Sequence, residues 1–159
     1  MKINNINNIN TNYIISKSTL DDISEMKSLE NELNINILSE NNMKEDMQNE
    51  NYIYFVLKDK EKNNILGYIA ISYVLDTIDI LSIVIKKDYQ KKGFGSILLE
   101  YVIEFSKNND VSSILLEVRS SNLPAIKLYE KYNFEKINTR KKYYSNPVED
   151  ALIYKLDII

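Results

Sequence analysis

Histidine, cysteine and tryptophan are all missing from this 159-residue chain, and glycine and proline number only three and two. Without cysteine, disulfides, thiolate zinc sites and cysteine nucleophiles are excluded by counting. Without histidine there is no Ser-His-Asp triad and no imidazole base, which leaves Asp, Glu, Lys and Tyr as the proton carriers for any catalysis. No apolar run approaches the roughly 18 residues of a membrane span. The opening MKINNINNINTN is polar and lacks the continuous apolar core of a secretory signal. A frayed or irregular stretch is therefore expected over residues 1–12, and the cytoplasm is the expected compartment. Neither charge sign dominates: 20 basic against 23 acidic side chains leave a net −3. That balance argues against a dedicated nucleic-acid binder and better suits a cationic partner.

What is present is ordinary for a globular protein, with 44% apolar and 27% charged residues. The length fits one domain, expected over 1–159. YIISK (13–17) reads as a strand, and Thr19 is placed to cap a helix over about 20–33, with Leu20, Ile23, Met26 and Leu29 recurring at three-residue spacing. The polar segment 38–51 has a weak helical pattern. NYIYFVLKD, ILGYIAISYVLD and TIDILSIVI are β-branched and aromatic runs separated by KEKNN and by a tight turn near Asp76, as in an antiparallel meander. From Ser96 the period changes: Ile97, Leu98, Tyr101, Val102 and Phe105 share one helical face. SSILLEVR then alternates as a strand, LPAIKLYEKY is a helix, and NFEKINTR and EDALIYKLD are strands.

Two of the three glycines, Gly93 and Gly95, lie in QKKGFGS, between a strand ending at Ile85 and the helix that follows. Backbone N–H groups at such a helix start, aligned with the peptide dipoles, favour an anion. Lys86, Lys87, Lys91 and Lys92 surround the turn and could meet further phosphate charge. A bare connector with solvated lysines would look the same. No Gly-Lys-Ser/Thr ending follows and no full GxGxxG is present, which argues against a plain nucleotide-binding domain.

The stretch LSIVIKKDYQKKGFGSILLEYVIEF, followed by LLEVRSSNLPAIKLYEKYNF, resembles the Gcn5-related N-acetyltransferases, the GNAT family. In that family Q/R-x-x-G-x-G/A opens the helix that binds the acetyl-CoA pyrophosphate, and here it reads Gln90-Lys91-Lys92-Gly93-Phe94-Gly95. Within the family the chain is most similar to the ribosomal-protein-alanine N-acetyltransferases of RimI type. The shared pattern is Leu116 to Arg119, Ser121-Asn122, Ala125-Ile126, Leu128 to Glu130, Phe134, Arg140, Tyr143-Tyr144 and Glu149 to Ala151 with Ile153. It covers roughly the second half of the chain, from Leu81 to Leu156.

The resemblance implies an α/β fold, the GNAT fold: a mixed, largely antiparallel central sheet splayed in the middle and flanked by about four helices. It implies acetyl-CoA as cosubstrate and no metal. The backbones of Ile83, Val84 and Ile85 would pair with the pantetheine arm, Lys91, Lys92, Gly93, Phe94, Gly95 and Ser96 would take the pyrophosphate, and Asn122 would hydrogen-bond the coenzyme. Glu117 matches the family's general base and Tyr129 its general acid. Both roles make chemical sense: an α-amine with pKa near 8 needs modest help to lose its proton, which a carboxylate supplies. A phenol can then protonate the departing thiolate, and with no cysteine to be acetylated the route would be direct transfer in a ternary complex. The bland readings stand beside these. A strand-end glutamate is more often solvated, Tyr129 sits on an apolar helical face, Asn122 also suits a helix cap, and Arg119 suits a structural ion pair.

The implied acceptor is the N-terminal amine of a protein, with a ribosomal protein beginning in Ala favoured. No direct nucleic-acid or membrane partner is expected, and a monomer or weak dimer is. Two departures fall on the acceptor side. RimI-like enzymes carry a Pro-Trp segment where this chain has NINILSENN, and SNPVED is shorter than the matching loop of relatives. Alternatives are a GNAT enzyme acting on a small amine, a polyamine or a lysine side chain, and a non-catalytic acyl-CoA-binding regulator.

Overall fold

The computed structural model describes residues 12–159, so the irregular start expected over 1–12 lies, apart from Asn12, outside the described residues. Seven strands, β1 (Tyr13–Lys17), β2 (Tyr52–Asp59), β3 (Ile65–Val74), β4 (Thr77–Ile85), β5 (Ser113–Arg119), β6 (Glu135–Tyr144) and β7 (Glu149–Asp157), form one sheet. Their order is β1-β2-β3-β4-β5-β7-β6, and every neighbouring pair is antiparallel except β4 with β5. Four α-helices flank it: α1 (Ile23–Glu32), α2 (Glu40–Gln48), α3 (Phe94–Lys107) and α4 (Leu123–Lys131). The helix expected over 20–33 begins as a 3-10 turn, Leu20–Asp22, where the Asp22 carboxylate accepts from the Thr19 N–H at 2.9 Å. The weak pattern over 38–51 is a helix as well, started by Ser39, whose Oγ accepts from the Asn42 N–H.

Residues 53–57 of β2 are buried without a break because both faces of the strand are covered. Ile53, Phe55 and Leu57 pack toward α3, and Phe55 meets the rings of Tyr101 and Phe105 edge-on at 4.9 and 5.4 Å. Tyr54 and Val56 face the other way, onto Ile23, Met26 and Leu29 of α1 and Met43 of α2. Each such apolar side chain contributes about 1.5–3 kcal/mol by leaving water.

The α1–α2 face also holds a charge. Glu30 is fully buried and accepts from the Tyr68 hydroxyl at 2.6 Å, from the Ile37 N–H and from Lys27 Nζ. Lys27 reaches on to the Leu38 carbonyl and to Asn36. These bonds hold the α1–α2 connection, a stretch with neither proline nor tryptophan.

Strand β4 changes face midway. Across β3, Ala70 opposes Ser82 and Ile71 opposes Ile80, so Leu81 is one extra residue, a β-bulge. Before it Ile78 and Ile80 pack toward α3; after it Ile83 and Ile85 do, and Val84 turns to the α1–α2 core. The bulge coincides with a split in the sheet. Parallel pairing with β5 runs only from Thr77↔Ser113 to Ile80↔Leu116, after which the two strands part.

Candidate active site

Below the split, β4 ends and the chain makes a 3-10 turn, Lys87–Tyr89, before α3. The Gln90 side chain folds back to donate to the Ile85 carbonyl at 3.0 Å. Lys91 and Gly93 adopt left-handed backbone angles, φ +58° and +89°, and Gly93 caps α3. At such an angle a side chain is strained and glycine is not. The first N–H groups of a helix have no partner within it, so the start of α3 offers donors and a positive dipole end to the split.

A cleft of about 500 Å³ opens there, walled by β4, the turn, the end of β5 and α4. It brings together Ile83, Ile85, Lys91, Gly93, Phe94, Gly95, Glu117, Asn122 and Tyr129 of the residues singled out in the sequence. Three others do not line it. Val84 points into the opposite core because of the bulge, Lys92 lies over the Tyr89 ring at 5.9 Å, and Ser96 is already inside the first turn of α3. On its β3 side the 83–85 backbone is paired, whereas its β5 side has no strand partner beyond Ile80. That edge can accept an extended chain as an added strand. Asn122 caps α4, its Oδ1 accepting from the Ala125 N–H at 3.3 Å, and its side-chain amide donates to no described residue, so a cap and a ligand contact are compatible.

Tyr129 is buried beside Phe134, and its hydroxyl bonds to no described residue although it lines the cleft. Burial first, and then the neighbouring Tyr144, push its pKa up to about 12. The group stays a phenol across any working pH. Glu117 lies on the far side of the split, where its carboxylate meets the Arg140 guanidinium at 2.8 Å.

A second cavity, of about 540 Å³, opens on the opposite face of the sheet. Asp79, Leu81, Glu117, Arg140, Tyr143 and Tyr144 are among its lining residues. Glu117 belongs to both cavities, together with Ile80 and Leu81 at the bulge. Arg140 lies over the Tyr143 ring at 5.3 Å, and Arg119 over the Tyr144 ring at 4.2 Å. Arg119 also pairs with Glu149 at 3.3 Å, the structural role that its place in the sequence suggested. Glu149 accepts from the Ser121 side chain and backbone, which with Arg119 and Ser120 hold its carboxyl below the usual range. These bonds fix the β5–α4 loop against the start of β7.

Asp79 and the Glu117–Arg140 pair escaped the sequence reading. The signal was there in part: in IDILSIVI the apolar positions fall out of period two at 80–81, and that lapse marks the bulge.

A mixed sheet split between two parallel strands, with an anion-accepting helix start below the split and a carboxylate in it, is the architecture of a GNAT-type acetyltransferase. The family model described as Acetyltransferase (GNAT) family matches residues 20–134. The [ribosomal protein bS18]-alanine N-acetyltransferase of Escherichia coli (strain K12) is 36% identical over 113 residues, 70% of this chain and 75% of that protein. The N-alpha-acetyltransferase of Saccharolobus solfataricus is 44% identical over 75 residues, 46% of this chain and 44% of that one. Among solved structures, the ribosomal-protein-S18-alanine N-acetyltransferase from Escherichia coli superposes with a TM-score of 0.84 at 31% identity, covering 92% of this chain and 94% of that one. The chain belongs to the GNAT family and is an acetyl-CoA-dependent N-acetyltransferase.

Proposed function

We propose that this enzyme acetylates the N-terminal α-amine of a protein, with a ribosomal protein beginning in Ala as the favoured acceptor. One observation carries the reading: two cavities on opposite faces of the sheet meet at Glu117, so a donor and an acceptor can reach one carboxylate from two sides. The acceptor class is supported by the similar enzymes, which are named for the alanine terminus of ribosomal protein bS18 and for α-amines.

In the proposed mechanism the free β4 edge at Ile83–Ile85 pairs with the pantetheine arm. The backbone of Lys91 to Ser96 takes the pyrophosphate, and Asn122 donates to the coenzyme. Glu117, oriented by Arg140, accepts a proton from the acceptor ammonium directly or through one water. The amine nitrogen bonds to the acetyl carbon, the C–S bond breaks, and the Tyr129 hydroxyl gives its proton to the sulfur. A phenol of pKa about 12 would not fully protonate a thiolate of pKa about 8.5 in water. The transfer is coupled to C–S cleavage in a cleft where a bare thiolate is itself disfavoured. Glu117 releases its proton to solvent, the second proton of the acetylated nitrogen returns the Tyr129 phenolate to a phenol through water, and no covalent enzyme intermediate forms.

The reading is tested by offering the enzyme three acceptors with acetyl-CoA: a peptide copying the bS18 N-terminus, the same peptide N-blocked with an internal lysine, and a polyamine. Acetylation confined to the free α-amine is expected. Preference for the lysine or the polyamine would overturn the N-terminal assignment.

A further inference from the structure

We propose that Asp79 recognises the acceptor as a cation, holding its α-ammonium in the second cavity beside Glu117 until Glu117 takes the proton. The inference rests on the N-terminal reading and deepens it.

β4 and β5 run parallel and in register, Asp79 opposite Leu115 and Ile80 opposite Leu116, with Glu117 next along β5. Ile78, Ile80, Ile114 and Leu116 fill the core toward α3. Strand alternation therefore places Asp79 and Glu117 on the other face, one step on either side of the last β4–β5 pair. Both carboxylates line the 540 Å³ cavity, and only Glu117 also lines the coenzyme cleft. Glu117 has a counter-charge in Arg140, whereas Asp79 makes no ion pair or hydrogen bond with any described residue. Two carboxylates and one guanidinium leave the cavity one negative charge in excess. Asp79 is solvent-exposed and water carries part of its charge, yet the desolvation it does suffer and the charge of Glu117 raise its pKa, so a cation beside it is favoured. An α-ammonium supplies that cation, and the rings of Tyr143 and Tyr144 supply an apolar wall for the first side chain. Acetylation turns the ammonium into a neutral amide, removing the attraction and favouring release of product.

The test measures, in enzyme saturated with CoA so that no turnover occurs, the affinity for an Ala-starting peptide and for its analogue with the amine replaced by hydrogen. Wild type should favour the amine by about tenfold or more, the scale of a charged hydrogen bond. In Asp79→Asn most of that preference should vanish, in Asp79→Glu part should return, and acetyl-CoA affinity should not move in either. An unchanged preference in Asp79→Asn, with wild type acetylating the peptide, would overturn this proposal alone. Wild type that fails to acetylate the peptide would overturn the N-terminal reading and this inference with it.

Discussion

Glu117 is an exposed carboxylate near a strand end, set apart from an ordinary one by its neighbours: Arg140 across the sheet, Asp79 on the adjoining strand and Tyr144 beyond. Replacing it with Gln keeps the shape and removes the proposed base. Glu117→Gln should lower kcat by about 10²- to 10⁴-fold, the usual worth of a positioned proton acceptor, while calorimetry shows acetyl-CoA binding retained. Tyr129→Phe should act on kcat in the same direction with little change in the acceptor KM. A normal kcat in both variants would remove these assignments. The raised Tyr129 pKa adds a pH prediction with a definite sign. A group whose pKa rises keeps its proton to higher pH, so the acid form persists beyond the ordinary phenol value of about 10. At saturating acceptor, where kcat no longer depends on binding of the ammonium, kcat should show no descending limb between about pH 9 and 11; a limb centred near 10 would assign the acid role to an unperturbed phenol. At this scale the motif spacing singled out Glu117, Asn122 and Tyr129, and the fold places all three on the cleft. Asp79 was not singled out, because its place near Glu117 follows from a parallel pairing that no local pattern announces.

The site depends on where β4 stops pairing, and therefore on the bulge at Leu81 and on what holds β4 against β3. Gly67 does part of that holding: a Cβ there would lie 2.7 Å from the Val84 carbonyl oxygen and 2.7 Å from Ile85 Cδ1. The backbone oxygen cannot yield cheaply. Gly67→Ala should destabilise the fold by about 1–3 kcal/mol, as overpacking does, and should weaken acetyl-CoA binding by shifting residues 83–85. Thermal unfolding and coenzyme titration check the two effects, and an unchanged melting temperature would mean that β4 relaxes freely. The strands and helices around this region were legible because their apolar periods are strong. The 3-10 turn ahead of α1 was not, since Leu20 continues the apolar spacing in the sequence but is half exposed in the fold. The face switch at Leu81 had a signal in the lapse from period two at 80–81, but the unbroken apolar residues at 83–85 obscure which face is resumed. The loop between α1 and α2 shows the same limit. Its fixing by buried Glu30 depends on Tyr68, 38 positions away.

Over the whole molecule, the two helical layers cover opposite faces of the sheet, and two cavities share Glu117 where the sheet splits. On the proposed direct transfer the two cavities fill together, so initial-rate kinetics should be sequential, with lines that intersect rather than run parallel. No helix among the described residues is long and apolar enough to cross a membrane. The most direct test of the account is to incubate the enzyme and acetyl-CoA with ribosomal proteins from cells that lack it, then map new acetyl groups by mass spectrometry. The account predicts a new acetyl group on an α-amine, foremost on a ribosomal protein that begins with Ala. New acetylation found only on lysine side chains, with every N-terminus unchanged, would contradict it.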